Sequence, residues 1–192
     1  MARVLVIQGH PDPAGGRFCH ALADAYASGA HNAGHEVRRL EIAALDLPLL
    51  RTQADFETGE PPPAAREAQE AIAWAEHVTL VFPLWLGGAP ALVHAFLEQT
   101  LRPNFAFRYE KAGAVALLKG RSARLIVTMG MPAFVYRFWF LAHGVRGLVR
   151  GVFGLVGVAP VRTTYIGMMG SIDEKTRWSW LARLHALGAK AR

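Results

Sequence analysis

Phe82-Pro83-Leu84-Trp85-Leu86-Gly87-Gly88-Ala89-Pro90 decides how this chain is read. The stretch leaves an apolar run, His77 to Phe82, and leads into a helix-like segment, Ala91 to Leu101. Ligands of open α/β sheets bind just beyond the carboxyl ends of the strands. A strand that ends in Pro, Trp and two glycines has no ordinary structural need for that sequence. The glycines let backbone approach something flat and apolar, and one large aromatic stands beside it. The turn therefore points to a pocket for a planar ring system. Core filling is the competing reading of Trp85. A buried indole removes about 150–250 Å² from water, roughly 4–6 kcal/mol gross at about 25 cal/mol/Å².

Outward from that turn, strand-like and helix-like segments alternate. Arg3 to Gln8 is a short apolar run stopped by Gly9-His10-Pro11-Asp12-Pro13, a buried strand and a loop. Phe18 to Gly34 has helical spacing, with Phe18, Leu22, Ala25 and Tyr26 on one face. Glu36 to Ile42 reads as the second strand. Leu47 to Pro63 is loop-rich and ends in three prolines, a stiff break. Ala64 to Ala75 is a helix before the third strand, His77 to Phe82. Arg124 to Met129 is the fourth strand, Phe134 to about Gly154 is helical, and Val161 to Ile166 is the fifth strand. Asp173 to Leu187 closes the chain as a helix, with Ser171 as its N-cap. This alternation predicts one α/β domain over residues 1–192. Its form is a doubly wound, five-stranded parallel sheet in the order 2-1-3-4-5.

The chain has 192 residues, 52% apolar, enough for a substantial core. Cys19 is the single cysteine, which excludes an intrachain disulfide and fits a reducing, cytoplasmic setting. Met1 to Ile7 reads as a strand rather than a signal peptide. The net charge of +6 hides an asymmetry. Residues 1–101 hold six Lys/Arg against twelve Asp/Glu, a net of −6, and residues 102–192 hold fifteen against three, a net of +12. The basic half suits the phosphates of a dinucleotide, an acidic membrane surface, or simply a solvated face. Nucleic acid is the weaker partner, because the cations are scattered among apolar residues without a recognition motif. Arg137, His143, Arg146 and Arg150 interrupt the apolar region Phe134 to Val161, so a membrane span is rejected and any membrane contact is peripheral.

Parallel strands send the loops after strands one, three and four to one edge of the sheet. The first is Gly9 to Cys19, with Gly15-Gly16-Arg17 ahead of a helix. A helix N-terminus attracts phosphate, and Arg17 adds a charge contact. No Gly-Lys-Ser/Thr follows, so this is not a Walker loop. The second is the Trp85 turn, whose backbone amides suit the polar edge of a ring. The third, Thr128-Met129-Gly130-Met131-Pro132-Ala133-Phe134-Val135-Tyr136, offers an apolar wall with one hydroxyl at its start. Tyr136 and His143 lie seven residues apart, two turns if the segment is helical, which puts a donor and a titratable group on one face. Gly151-x-x-Gly154-x-x-Gly157 follows no strand and reads as close helix packing. No Gly-x-Ser-x-Gly elbow or zinc motif is present, and no metal is expected.

These residues resemble the flavodoxin-like NAD(P)H:quinone oxidoreductases, including the bacterial group called modulator of drug activity B. The resemblance runs from Val4 to about Gly170. It rests on Gly9-His10-Pro11, on Phe82-Pro83-Leu84-Trp85 with Pro90, on Arg102-Pro103-Asn104-Phe105-Ala106-Phe107, and on Val127-Thr128-Met129 through Tyr136. The chain departs from the family pattern at Arg17 and Cys19, where Ser and Asn are usual, and at Met131, where Gly or a polar residue is common.

The resemblance implies a bound flavin, FMN or FAD, with NAD(P)H as co-substrate, a quinone-like acceptor, and a homodimer with active sites at the interface. By it, His10, Gly16, Arg17, Phe18 and Cys19 surround the flavin phosphate or ribityl chain. Pro83, Leu84, Trp85 and Leu86 meet the isoalloxazine ring, and Thr128, Met129 and Gly130 lie on another side. Phe107 and Tyr109 reach the partner's pocket and line the substrate site with Trp85 and Phe134. Tyr136 and His143 are the implied catalytic pair near the flavin carbonyl. The leading functional reading is flavin-dependent NAD(P)H:quinone oxidoreduction. The alternative is a regulatory flavoprotein docked on a membrane transporter, motivated by the basic half and the Phe138-Trp139-Phe140-Leu141 patch; a flavin-free binding domain is the plainest option.

Overall fold

A computed structural model describes residues 1–191. Five parallel strands form its sheet: β1 (Arg3–Gln8), β2 (Glu36–Glu41), β3 (His77–Pro83), β6 (Ser122–Thr128) and β7 (Val161–Ile166), in the order β2-β1-β3-β6-β7. The two remaining strands, β4 (Phe107–Glu110) and β5 (Gly113–Ala116), pair antiparallel in a separate hairpin. The five parallel strands therefore have the expected spatial order. The hairpin between the third and fourth of them is an addition to the elements that the sequence pattern predicts. Its strands are four residues each, too short for an alternation to register.

The central strands β1, β3 and β6 are almost wholly buried, as strands covered on both faces must be. Their side chains divide by parity. Val4, Val6, Val81 and Ile126 pack on one face against α1 (Phe18–Asn32) and α7 (Glu174–Gly188), through Leu22, Tyr26 and Leu184. Leu5, Ile7, Leu80, Phe82, Leu125 and Val127 pack on the other. There they meet α3 (Pro63–Trp74) and α4 (Ala91–Thr100), through Ala68, Ile72, Val93 and Phe96. A short α2 (Gln53–Glu57) lies in the loop before α3. Helices α1 and α7 approach closely because Gly29 and Gly188 have no side chain: a Cβ on either would strike the other helix's backbone.

One buried polar cluster breaks the apolar face. His77 on β3 bonds Tyr26 Oη through Nε2 and Ser122 Oγ through Nδ1, each at 2.8 Å. Burial, reinforced by the Arg124 charge, pulls its pKa down to about 4, so it is neutral in the fold.

Two expectations are corrected here. The N-cap of α7 is Asp173, whose Oδ1 accepts from the Thr176 N–H at 2.8 Å, and not Ser171. The single helix expected from Phe134 to Gly154 is broken. A wide π-type turn covers Val135–Trp139, Leu141 and Ala142 take left-handed backbone, and α5 (His143–Gly147) starts afresh. A second wide turn, Leu148–Phe153, leads into α6 (Gly154–Val156). Four glycines in this segment weaken its helical preference. The left-handed pair resets the phase, so Tyr136 and His143 are not stacked on one face.

Candidate functional site

Because β1, β3 and β6 are parallel neighbours, their following loops converge at one sheet edge. They line a cleft of about 510 Å³ with His10, Gly16, Arg17, Phe18 and Cys19, then Pro83, Leu84 and Trp85, then Thr128, Met129 and Gly130. These are eleven of the twelve residues expected to hold a cofactor. Leu86, the twelfth, is fully exposed at the tip of its turn and does not line the cleft. Sequence reasoning missed Met169, Gly170 and Arg177, which complete the lining. The signal was available: β7 is parallel to the others, so its loop and the first turn of α7 open on the same edge.

The first loop gathers unpaired donors at the start of α1. Gly15 and Gly16 both take positive φ, +72° and +71°, and nothing crowds the space where a side chain would stand. Arg17 occupies the N-cap of α1 without a capping side chain, and the first turn holds no acidic residue. The His20 N–H already donates to the Arg17 carbonyl at 2.9 Å, which leaves the Phe18 and Cys19 N–H groups without an intrahelical partner. Asp12 holds Arg17 in place, accepting from Nε at 2.8 Å and pairing with an Nη at 2.7 Å. That bond, first among several causes, keeps the Asp12 carboxyl below its usual pKa, and three guanidinium N–H groups remain for a ligand. Arg177 stands over the Phe18 ring at 5.4 Å, and no carboxylate pairs with it among the described residues.

The second loop presents an aromatic wall. Trp85 and Gly88 exchange two backbone hydrogen bonds, at 2.9 and 3.0 Å. Leu86 and Gly87, at φ +48° and +81°, form the tight turn between them. Left-handed backbone is strained for Leu86 and persists only where surrounding contacts enforce it. Those contacts are visible. Tyr136 Oη donates to the Gly87 carbonyl at 2.9 Å and accepts from the Val145 N–H at 3.3 Å. Gly144 lies so close to Gly87 and Gly88 that no side chain fits there. Trp85 is held half-exposed, at 51%, which rules out the core-filling reading. His10 meets its edge at 6.4 Å.

The third loop is tied to the first. Cys19 Sγ lies 3.1 Å from Thr128 Oγ1, deep in the fold. Burial pushes the Cys19 thiol up to about 11, so it is a packing and hydrogen-bonding group rather than a nucleophile. His10 Nδ1 accepts from the Asp12 N–H at 3.1 Å, which leaves Nε2 as the protonated nitrogen of the neutral ring. Partial burial, and then the nearby His20, lower its pKa.

A family model described as a flavodoxin-like fold matches residues 2–187. The chain belongs to this flavodoxin-like family. An uncharacterized NAD(P)H oxidoreductase of Haemophilus influenzae is 29% identical over 117 residues, 60% of this chain and 58% of that one, so the match spans little more than half of that relative. An FMN-dependent NADH:quinone oxidoreductase of Bacillus anthracis is 27% identical over 188 residues, 88% of each chain. Among solved structures, the NAD(P)H:quinone oxidoreductase from Methanothermobacter marburgensis superposes with a TM-score of 0.81. It is 21% identical and covers 100% of this chain and 99% of that one, a likeness of fold.

Within the flavodoxin-like chain, the other expected site residues lie apart from the cleft. Tyr136 is buried behind the Trp85 turn, its one proton given to Gly87. His143 is exposed at the start of α5. Phe107 and Tyr109 pack edge to face at 5.3 Å and line a separate apolar groove of about 280 Å³ beside α4. Phe134 lines a third cleft, beside β7. No group of three His, Cys, Asp or Glu side chains suited to a metal ion occurs among the described residues. No helix among them is long and apolar enough to cross a membrane.

Proposed function

We propose that this chain binds FMN in the cleft and catalyses two-electron transfer from NADH or NADPH to a quinone-like acceptor. The net reaction is NAD(P)H plus a proton plus quinone, giving NAD(P)⁺ and hydroquinone. One observation carries the reading: an uncapped helix N-terminus flanked by two arginines shares a cleft with a half-exposed tryptophan. The donors suit a phosphate and the indole suits a flat ring, and both belong to FMN. FMN held there would supply the hydride-accepting and two-electron chemistry that links the nicotinamide to the acceptor.

The chain's own groups do the holding. Gly15, Gly16 and the first turn of α1 cradle the phosphate, with Arg17 steadied by Asp12 and Arg177 adding a second charge. Trp85, Leu84 and Pro83 wall one part of the ring site; Thr128, Met129 and Gly130 wall another. Tyr136 is a positioning residue that fixes the strained turn bearing Trp85. His143, next to Gly144, borders that turn from outside the cleft as a second positioning residue, and its replacement by Ala slows reduction by NADH while FMN stays bound.

The reading includes a homodimer. Tyr109 is exposed and lies outside this cleft, so it reaches a flavin only across a subunit boundary, whereas Phe107, expected to do the same, is buried in the core beneath it. It also includes a cytoplasmic setting, where NAD(P)H is supplied. The test is anaerobic: the FMN-loaded protein is mixed with NADH or NADPH, then with a soluble quinone. Loss of the flavin colour and its return with the quinone support the assignment. A flavin that stays oxidised with either nucleotide overturns it.

A further inference from the structure

The segment after the third loop carries a feature the cleft does not use. Phe134, Phe138, Trp139, Phe140 and Leu141 are all exposed, Phe138 at 68% and Trp139 at 82%. Isolated exposed apolar residues are ordinary, but a run of four consecutive ones marks a contact surface. The charges that flank it in sequence have one sign. Residues 111–172 contain eight Lys/Arg and no Asp or Glu. Arg137 lies over the Phe138 ring at 5.3 Å, and Arg146 and Arg150 follow on α5 and the next turn. Beside the ridge runs a cleft of about 430 Å³ lined by Arg124, Arg137 and Arg183 with no carboxylate. Arg137, Arg146, Arg150 and Arg183 have no carboxylate partner among the described residues.

We propose that this ridge and its arginine cleft form a docking face for an anionic lipid surface. Aromatic side chains, Trp above all, settle at the boundary between headgroups and acyl chains. Arginines behind them meet lipid phosphates, and each is worth about fivefold in partitioning. A second copy of the chain fits worse. A twofold contact centred on the patch would bring Arg137, Arg146 and Arg150 against their own copies without a countercharge. The face goes beyond the reductase reading and stands without it, since lipid binding needs no flavin. It also suits acceptors that dissolve in membranes.

Vesicle flotation of the full-length, FMN-supplemented protein tests this. Vesicles with equal parts phosphatidylcholine and phosphatidylglycerol retain the protein, pure phosphatidylcholine vesicles do not, and raising salt to about 0.5 M releases it at least ~10-fold. Phe138→Ser with Trp139→Ser abolishes retention but leaves FMN binding intact. Arg146→Gln with Arg150→Gln weakens it about 25-fold, an independent arm if the aromatic pair fails to fold. Equal retention on both vesicles, or none on either, overturns the proposal. So does retention only on membranes that keep their proteins, which marks a protein partner, or binding to single-stranded DNA of equal strength. So does a wild-type dimer that the aromatic pair splits into monomers, which marks the face as a subunit interface.

Discussion

Replacing Gly144 by Ala puts a methyl group into the back of the Trp85 turn. Its Cβ would stand 2.7 Å from Gly88 Cα and closer still to the Gly87 carbonyl oxygen, both backbone atoms. No rotamer change relieves such a contact, so α5 or the turn must move. Overpacking of this kind costs about 1–3 kcal/mol. Alanine's better helix propensity returns at most about 1 kcal/mol. The clash wins, and the displaced element is the one that carries Trp85 and is already strained at Leu86. The expected loss is about 1–2 kcal/mol, a roughly tenfold rise in the FMN dissociation constant read by flavin fluorescence titration. Gly147→Ala is the control: it sits in the same helix, yet a Cβ there meets nothing within 4 Å. It should bind FMN as the parent does and gain up to ~1 kcal/mol of stability. FMN affinity unchanged by Gly144→Ala would show that the turn does not form the ring site.

Three further outcomes follow from the same structure. His77 is neutral in the fold, with a pKa near 4, against 6.5 for an ordinary histidine, so between those values the unfolded chain binds the extra proton. Stability therefore rises with pH across that window, by about 3 kcal/mol in all. Urea midpoints that slope upward between these pH values, with a flatter slope in His77→Gln, check this; equal slopes contradict it. Arg177→Ala should weaken FMN about tenfold while leaving riboflavin, which lacks the phosphate, nearly unaffected; calorimetry on both ligands separates the effects. Cys19, with its thiol raised to about 11, should resist iodoacetamide in the native protein at mildly alkaline pH and react once urea exposes it; mass spectrometry reads the adduct.

The parallel sheet was legible because its central strands write near-continuous apolar runs, as in Val4 to Ile7 and Leu80 to Phe82. The cleft was legible for a topological reason: parallel strands deliver their loops to one edge, so Gly16, Trp85 and Met129 meet although far apart in sequence. The same rule, applied to β7, would have found Met169, Gly170 and Arg177. The hairpin was hidden by its brevity. The Tyr136–His143 pairing failed because periodicity assumes unbroken helix, and nothing in Leu141-Ala142 announces left-handed backbone. Tyr136 stands at the back of the Trp85 turn, where its partner is the Gly87 carbonyl, a contact with backbone that no side-chain pattern encodes. The exposure of Leu86 likewise follows from the turn conformation and not from its hydrophobicity.

In the proposed site a helix terminus and two arginines would grip a phosphate while a tryptophan flanks the attached ring. Side-by-side calorimetric titration of the full-length protein with FMN and riboflavin tests that arrangement most directly. FMN should saturate one site per chain and bind at least ~10-fold more tightly than riboflavin, with the gap shrinking as salt rises. Equal affinity for the two ligands, or heat from neither, would contradict it.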